Sequence, residues 1–88
     1  MGDRALEQEV LSMFVQQAQS VRDQIGRSDA AQRRFLAHGL KGSARGVGAF
    51  IVAELADALE TDPDDKRAVD SLSRAIEDVR DFVAAISR

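Results

Sequence analysis

The sequence predicts an all-α protein, an antiparallel up-down-up-down four-helix bundle, and three observations carry that prediction. Apolar residues recur at three- and four-residue steps through four separate stretches. No stretch alternates with period two, and no Asn-Gly or Asp-Gly pair marks a hairpin. The segments between the stretches are only a few residues long, which favours antiparallel neighbours.

The first helix is expected from about residue 4 to residue 25, with Asp3 as its cap and Leu6, Val10, Met13, Phe14, Val21 and Ile25 along its apolar side. Gly26 suits the left-handed position just past a helix end. Ser28 is the expected cap of the second helix, with Asp29 favourably placed in its first turn. That helix carries the only histidine and should end near Gly46 or Gly48, where two close glycines weaken it. From Ala49, a third helix repeats Val52, Leu55 and Leu59, flanked by Ile51 and Ala58, and stops near Thr61. The run Asp62-Pro63-Asp64-Asp65 reads as a helix start, with Asp62 as cap and Pro63 in the first helical position. Val69, Leu72, Ile76, Val79, Val83 and Ile86 then sustain the period, with Phe82 beside it.

The 88 residues form one domain, spanning 1–88, with room for one core but not for a cleft between two domains. The apolar share of 44% against 31% charged residues describes a soluble globular chain. Without cysteine there are neither disulfides nor thiolate metal sites. No apolar run approaches the roughly 20 residues of a membrane span. Asp3, Glu7 and Glu9 interrupt any signal-peptide core, so a cytoplasmic protein is expected. A net charge of −3 argues against nucleic acid as a partner. Locally the balance reverses, because Arg33, Arg34, Lys41 and Arg45 crowd around the histidine while acids gather near both ends and at Asp62 to Asp65.

Residues 37–49 concentrate the chemistry. On a helix, His38, Lys41, Gly42 and Arg45 fall at i, i+3, i+4 and i+7 and share a face, opposite Leu36, Leu40, Ala44 and Val47. A lone histidine is most often a surface or capping residue, but this one stands outward among cations. A neutral exposed imidazole keeps one nitrogen lone pair and can act as a nucleophile. Lys41 and Arg45 lie one and two turns away, where a transferring phosphoryl group spreads its charge. Lys41 is expected to touch that group and Arg45 to steer; the plain alternative is an ordinary solvated face. Glycine inside a helix costs about 0.8–1.0 kcal/mol relative to alanine. Gly42 therefore implies an offsetting benefit, namely a bald spot that lets a partner's backbone approach for in-line transfer. Gly39 carries the same penalty. Phe35 should project beside His38, either covered by the twist of the bundle or, as preferred here, part of a docking patch with Arg34.

Other chemistries lack parts. One histidine and no cysteine exclude a histidine- or thiolate-based zinc site. Ser43 sits roughly 140 degrees round the helix from His38, too far for a serine–histidine pair. Lys41-Gly42-Ser43 has the wrong order for a Walker loop and follows no strand. Asp62, Asp64 and Asp65 are followed by Lys66 where a calcium loop needs a ligand, and no loop glycine is present.

The stretch His38-Gly39-Leu40-Lys41-Gly42-Ser43-Ala44, then Gly48-Ala49, Leu55 and Leu59-Glu60, resembles the histidine-containing phosphotransfer (HPt) domains of two-component phosphorelays. Their pattern is His-x-x-Lys-Gly-Ser, a small residue, a Gly-Ala pair and a leucine-bearing helix ending in Leu-Glu. The match is dense over residues 34–60. The resemblance implies a four-helix bundle in which His38 is phosphorylated, Lys41 is the phosphate-side cation and Gly42 the access position. It implies a cytoplasmic, monomeric phosphocarrier without an ATP site or cofactor of its own. Its partners would be receiver domains of response regulators and of a hybrid sensor histidine kinase, and the magnesium ion would belong to the receiver. Two alternatives stand beside it: the phosphoacceptor domain of a chemotaxis-type kinase, and a docking bundle that leaves His38 unused.

Overall fold

The computed structural model describes residues 3–87, which form four α-helices and, among the described residues, no strand. These are α1 (Arg4–Ile25), α2 (Ala30–Val47), α3 (Phe50–Thr61) and α4 (Lys66–Ile86). Asp3 caps α1 as expected, its Oδ1 accepting from the backbone N–H groups of Ala5 at 3.0 Å and Leu6 at 3.3 Å.

The three connections show which local expectations tertiary structure overrides. Gly26 is right-handed, with φ −69°, rather than left-handed. The chain instead tightens through bonds from Arg27 N–H to the Gln24 carbonyl and from Ser28 N–H to the Ile25 carbonyl, which satisfy the helix end without a left-handed residue. Ser28 closes α1 rather than opening α2, donating its hydroxyl to the Gln24 carbonyl at 2.7 Å. The cap of α2 passes to Asp29, whose carboxylate accepts from Gln32 N–H at 2.8 Å and suits the positive helix end.

Gly48 ends α2 with φ +81° and is the only described residue with positive φ. The following Ala49 N–H reaches back to the Ala44 carbonyl at 2.8 Å, the closure that a left-handed residue permits. Asp62, expected to start α4, instead closes α3 through its N–H to the Ala58 carbonyl. Its own carbonyl accepts from Asp65 N–H at 3.2 Å, so Pro63 occupies the second position of a β-turn, which proline favours as much as a first helical turn. Asp65 is the cap of α4, accepting from Arg67 and Ala68 N–H groups.

Each helix packs on two others: α1 on α2 and α4, and α3 on α2 and α4. Gln8 near the start of α1 bonds to the carbonyl of Ile86 near the end of α4, and Arg22 meets Glu77, so contacts run in opposite senses along that pair. The core contains Phe14, Val21, Ile25, Leu40, Val52, Leu59, Leu72 and Ile76. Between them Ala18, Ala37, Ala44, Ala53, Ala56, Ala68 and Ala75 are buried, small side chains that let the helices approach closely. Leu6, Val10 and Met13 continue the apolar period of α1 but are exposed, as is Ile86 on α4. For Leu6, Val10 and Ile86 the cause is length, since α3 has 12 residues against 22 in α1 and 21 in α4 and the far end of the longer pair is left uncovered. Met13, at mid-helix, points outward because its neighbour Phe14 takes the core position. No helix among the described residues is long and apolar enough to cross a membrane.

Candidate functional site

Helix α2 presents His38 because its opposite stripe is anchored. Ala37, Leu40 and Ala44 are fully buried and Leu36 and Val47 pack on the core, so the remaining face points outward. The imidazole is 71% exposed. Phe35 is 74% exposed, so the bundle does not cover it. A Cβ built on Gly39 or Gly42 would meet nothing within 4 Å, so two bare, open positions adjoin the histidine.

Across the groove, α3 supplies two carboxylates. Glu60 Oε2 lies 2.8 Å from His38 Nδ1. Lys41 Nζ forms an ion pair with Glu60 Oε1 and donates to Asp57 Oδ1 at 3.1 Å. Lys41 is consequently only 16% exposed, lying along the α2–α3 seam. The two pairs follow from register: His38 and Lys41 are one turn apart on α2, Glu60 and Asp57 one turn apart on α3 in the reverse sense.

The electrostatics fix the imidazole tautomer. Glu60 is held below the usual carboxylate range by the hydrogen bond from Lys41 and then by the one from His38. An ionised carboxylate only accepts, so Nδ1 carries the donated proton and Nε2 of a neutral ring keeps its lone pair. Lys41 is pushed above its ordinary value by hydrogen bonds to Glu60 and then Asp57, so it stays charged. Among the described residues no group of three or more histidine, cysteine or acidic side chains is placed to hold a metal ion.

The family model of the Hpt domain matches residues 9–86. The chain belongs to the Hpt domain family. No curated protein and no solved structure matches it significantly. Membership makes it a histidine-containing phosphotransfer domain of two-component signalling, and Hpt domains are phosphocarriers that work with receiver domains.

Within this Hpt domain the residues singled out from sequence are only partly together. His38, Gly39, Gly42 and Phe35 share the open face of α2. Lys41 is engaged by α3 rather than directed into solvent. Arg34 donates from Nε to the backbone carbonyl of Glu60 at 3.2 Å, bracing the end of α3. Arg45 is exposed one turn beyond Lys41. Arg33 does not crowd the histidine: it donates to the carbonyls of Ile25 and Pro63 and pairs with Asp64, tying two connections together. The bare positive flank expected around His38 is therefore a balanced one, because Asp57 and Glu60 offset Lys41. Asp57 was not anticipated at all, and Glu60 only as part of a family pattern. The signal available for both was the pair of acids spaced i, i+3 on the helix that follows a histidine and lysine spaced likewise.

Proposed function

We propose that this domain, an up-down-up-down bundle presenting His38 from its second helix, carries a phosphoryl group on His38 between the aspartates of two receiver domains. His38 Nε2 attacks the phosphorus of a receiver's aspartyl phosphate. The N–P bond forms as the P–O bond to the aspartate breaks, and the freed carboxylate keeps the electron pair. The ring acquires positive charge while Nδ1 retains its proton, and the Glu60 carboxylate lies where that charge develops. Transfer to the second receiver is the reverse step, with a fresh aspartate oxygen attacking phosphorus and Nε2 regaining its lone pair. Magnesium belongs to the receivers in this reading.

The observation that carries the proposal is the hydrogen bond from Nδ1 to Glu60 at 2.8 Å on a ring that is otherwise open. Gly39 and Gly42 keep the approach clear, and Phe35 and Arg34 offer an apolar and a cationic contact beside it. Lys41 serves first as the anchor that holds Glu60 against the ring. With two of its three N–H donors on Glu60 and Asp57, it keeps the third for a phosphoryl oxygen as the phosphate-side cation, and Arg45 steers the incoming partner.

Incubation with a receiver labelled at its aspartyl phosphate tests the reading. Label should move to wild type and not to His38→Gln, and then to a second receiver. Label acquired only from an ATP-loaded kinase domain would make this the phosphoacceptor of a kinase, and label from neither source would leave only docking.

A further inference from the structure

Eight large apolar side chains stand exposed among the described residues. Phe35 lies beside His38 and Met13 at mid-α1, while Leu6, Val10, Phe50, Ile51, Phe82 and Ile86 lie toward the end of the bundle where α1 begins and α4 finishes. We propose that this far end is the contact surface of a symmetric dimer of the chain, in place of the monomer that the family resemblance implies. Its apolar side chains form one continuous surface rather than scattered points. Leu6 and Val10 line a furrow shared with Val47; Val47 leads into a hollow walled by Phe82; and from there the surface continues to Phe50 and Ile51.

The size fits a second copy. Phe50 is 64% and Ile51 69% exposed, with Leu6, Val10, Phe82 and Ile86 between roughly two-fifths and two-thirds. At roughly 150–250 Å² for a fully exposed aromatic side chain such as Phe50 or Phe82, and somewhat less for the four aliphatic ones, these six present about 600 Å² of apolar surface. That is the upper end of what a monomer leaves open, about 300–600 Å². Two such patches together give about 1,200 Å², above the roughly 1,000 Å² that a specific interface needs.

The border also fits self-association. A two-fold contact sets one patch against itself, so a border of one sign would repel. Here the charged residues edging the furrows are Arg4, Glu7 and Asp78, of both signs, so Arg4 of one copy has an acid of the other to meet. No single-signed field is present to draw this end to a polyanion or an anionic lipid surface. Val47 is nine residues beyond His38 on α2, about 14 Å along the axis, so the contact leaves both histidines uncovered.

Sedimentation equilibrium of the full chain from about 1 μM to about 1 mM tests the proposal without reference to phosphotransfer. The apparent mass should rise from 9.6 kDa towards twice that value. Phe50→Glu and Ile51→Lys, both at exposed positions, should keep the helical circular dichroism and raise the dissociation constant at least about tenfold, a loss of about 1.4 kcal/mol. Phe35→Glu should leave it unchanged. Concentration-dependent amide shifts of the wild type provide a second measurement, expected in residues 46–52 and 79–86. A monomer throughout, a dimer indifferent to Phe50→Glu and Ile51→Lys, or shifts centred on His38 would each overturn the assignment.

Discussion

Replacing Gly42 by leucine should raise stability while slowing phosphotransfer, because the two properties draw on different features of one position. Gly42 lies inside α2, and a Cβ added there meets nothing within 4 Å. The substitution therefore creates no clash and removes the helical penalty of glycine, worth about 0.8–1.0 kcal/mol relative to alanine and slightly less relative to leucine. In a domain of this size that gain raises the melting temperature by about 3–7 °C, at roughly 4–8 °C per kcal/mol. Transfer responds oppositely. The reacting atoms must come within about 3–3.5 Å in line, and a displacement of about 1 Å can cost about 100-fold. A leucine one turn from His38 stands in the path by more than that, so transfer from a labelled receiver should fall by about 100-fold or more. Thermal melting and rapid-quench transfer on the same preparation give both numbers. A variant that melts higher and transfers as wild type would refute the access role, and one that melts lower would refute the open surroundings of Gly42. Gly42→Ala calibrates the series, with nearly the full gain in stability and a smaller loss in transfer.

Glu60→Gln should leave the fold intact and slow transfer by about 10–100-fold, since an amide presents less negative charge to the ring than a carboxylate. Nitrogen NMR of His38 should show the proton on Nδ1 in wild type and a mixture of tautomers in the variant; an unchanged tautomer would show that Glu60 does not select it. The Glu60–Lys41 pair also predicts a pH window. Glu60 is shifted below its ordinary 4.5, so its contribution to stability is present above that pH and lost as pH falls through the lowered value. Lys41 is shifted above its ordinary 10.5, so its contribution is present below that pH and lost as pH rises through the raised value. The difference between wild type and Glu60→Gln in urea unfolding should hold constant from about pH 5 to about pH 9 and shrink on acidification. Leu40→Ala removes a fully buried side chain behind the histidine and should cost about 2–5 kcal/mol in denaturant unfolding.

The helices were legible because their apolar periods are long and their connections short, and the outward side of α2 was legible because Leu40 and Ala44 had to face inward. The caps were less so. Ser28 and Asp29 are both capping residues, as are Asp62 and Asp65, and each choice is made by the neighbouring connection: Arg33 from α2 bonds the Ile25 and Pro63 carbonyls and draws both together. Buried alanines such as Ala37, Ala53 and Ala56 escaped because a period read from large side chains does not count the small ones that set helix spacing.

At the site, exposure could be read from one helix, but charge balance could not, since it depends on which residues of α3 face α2. In an antiparallel pair a single offset sets every contact, so the offset that brings Glu60 to His38 also brings Asp57 to Lys41. A one-residue slip would rotate α3 by about 100 degrees and lose both contacts at once. The rotation of α3 that buries Leu59 and Ala56 thus sets the orientation of the imidazole, and the nucleophile's geometry is a consequence of helix register rather than of the loops around it.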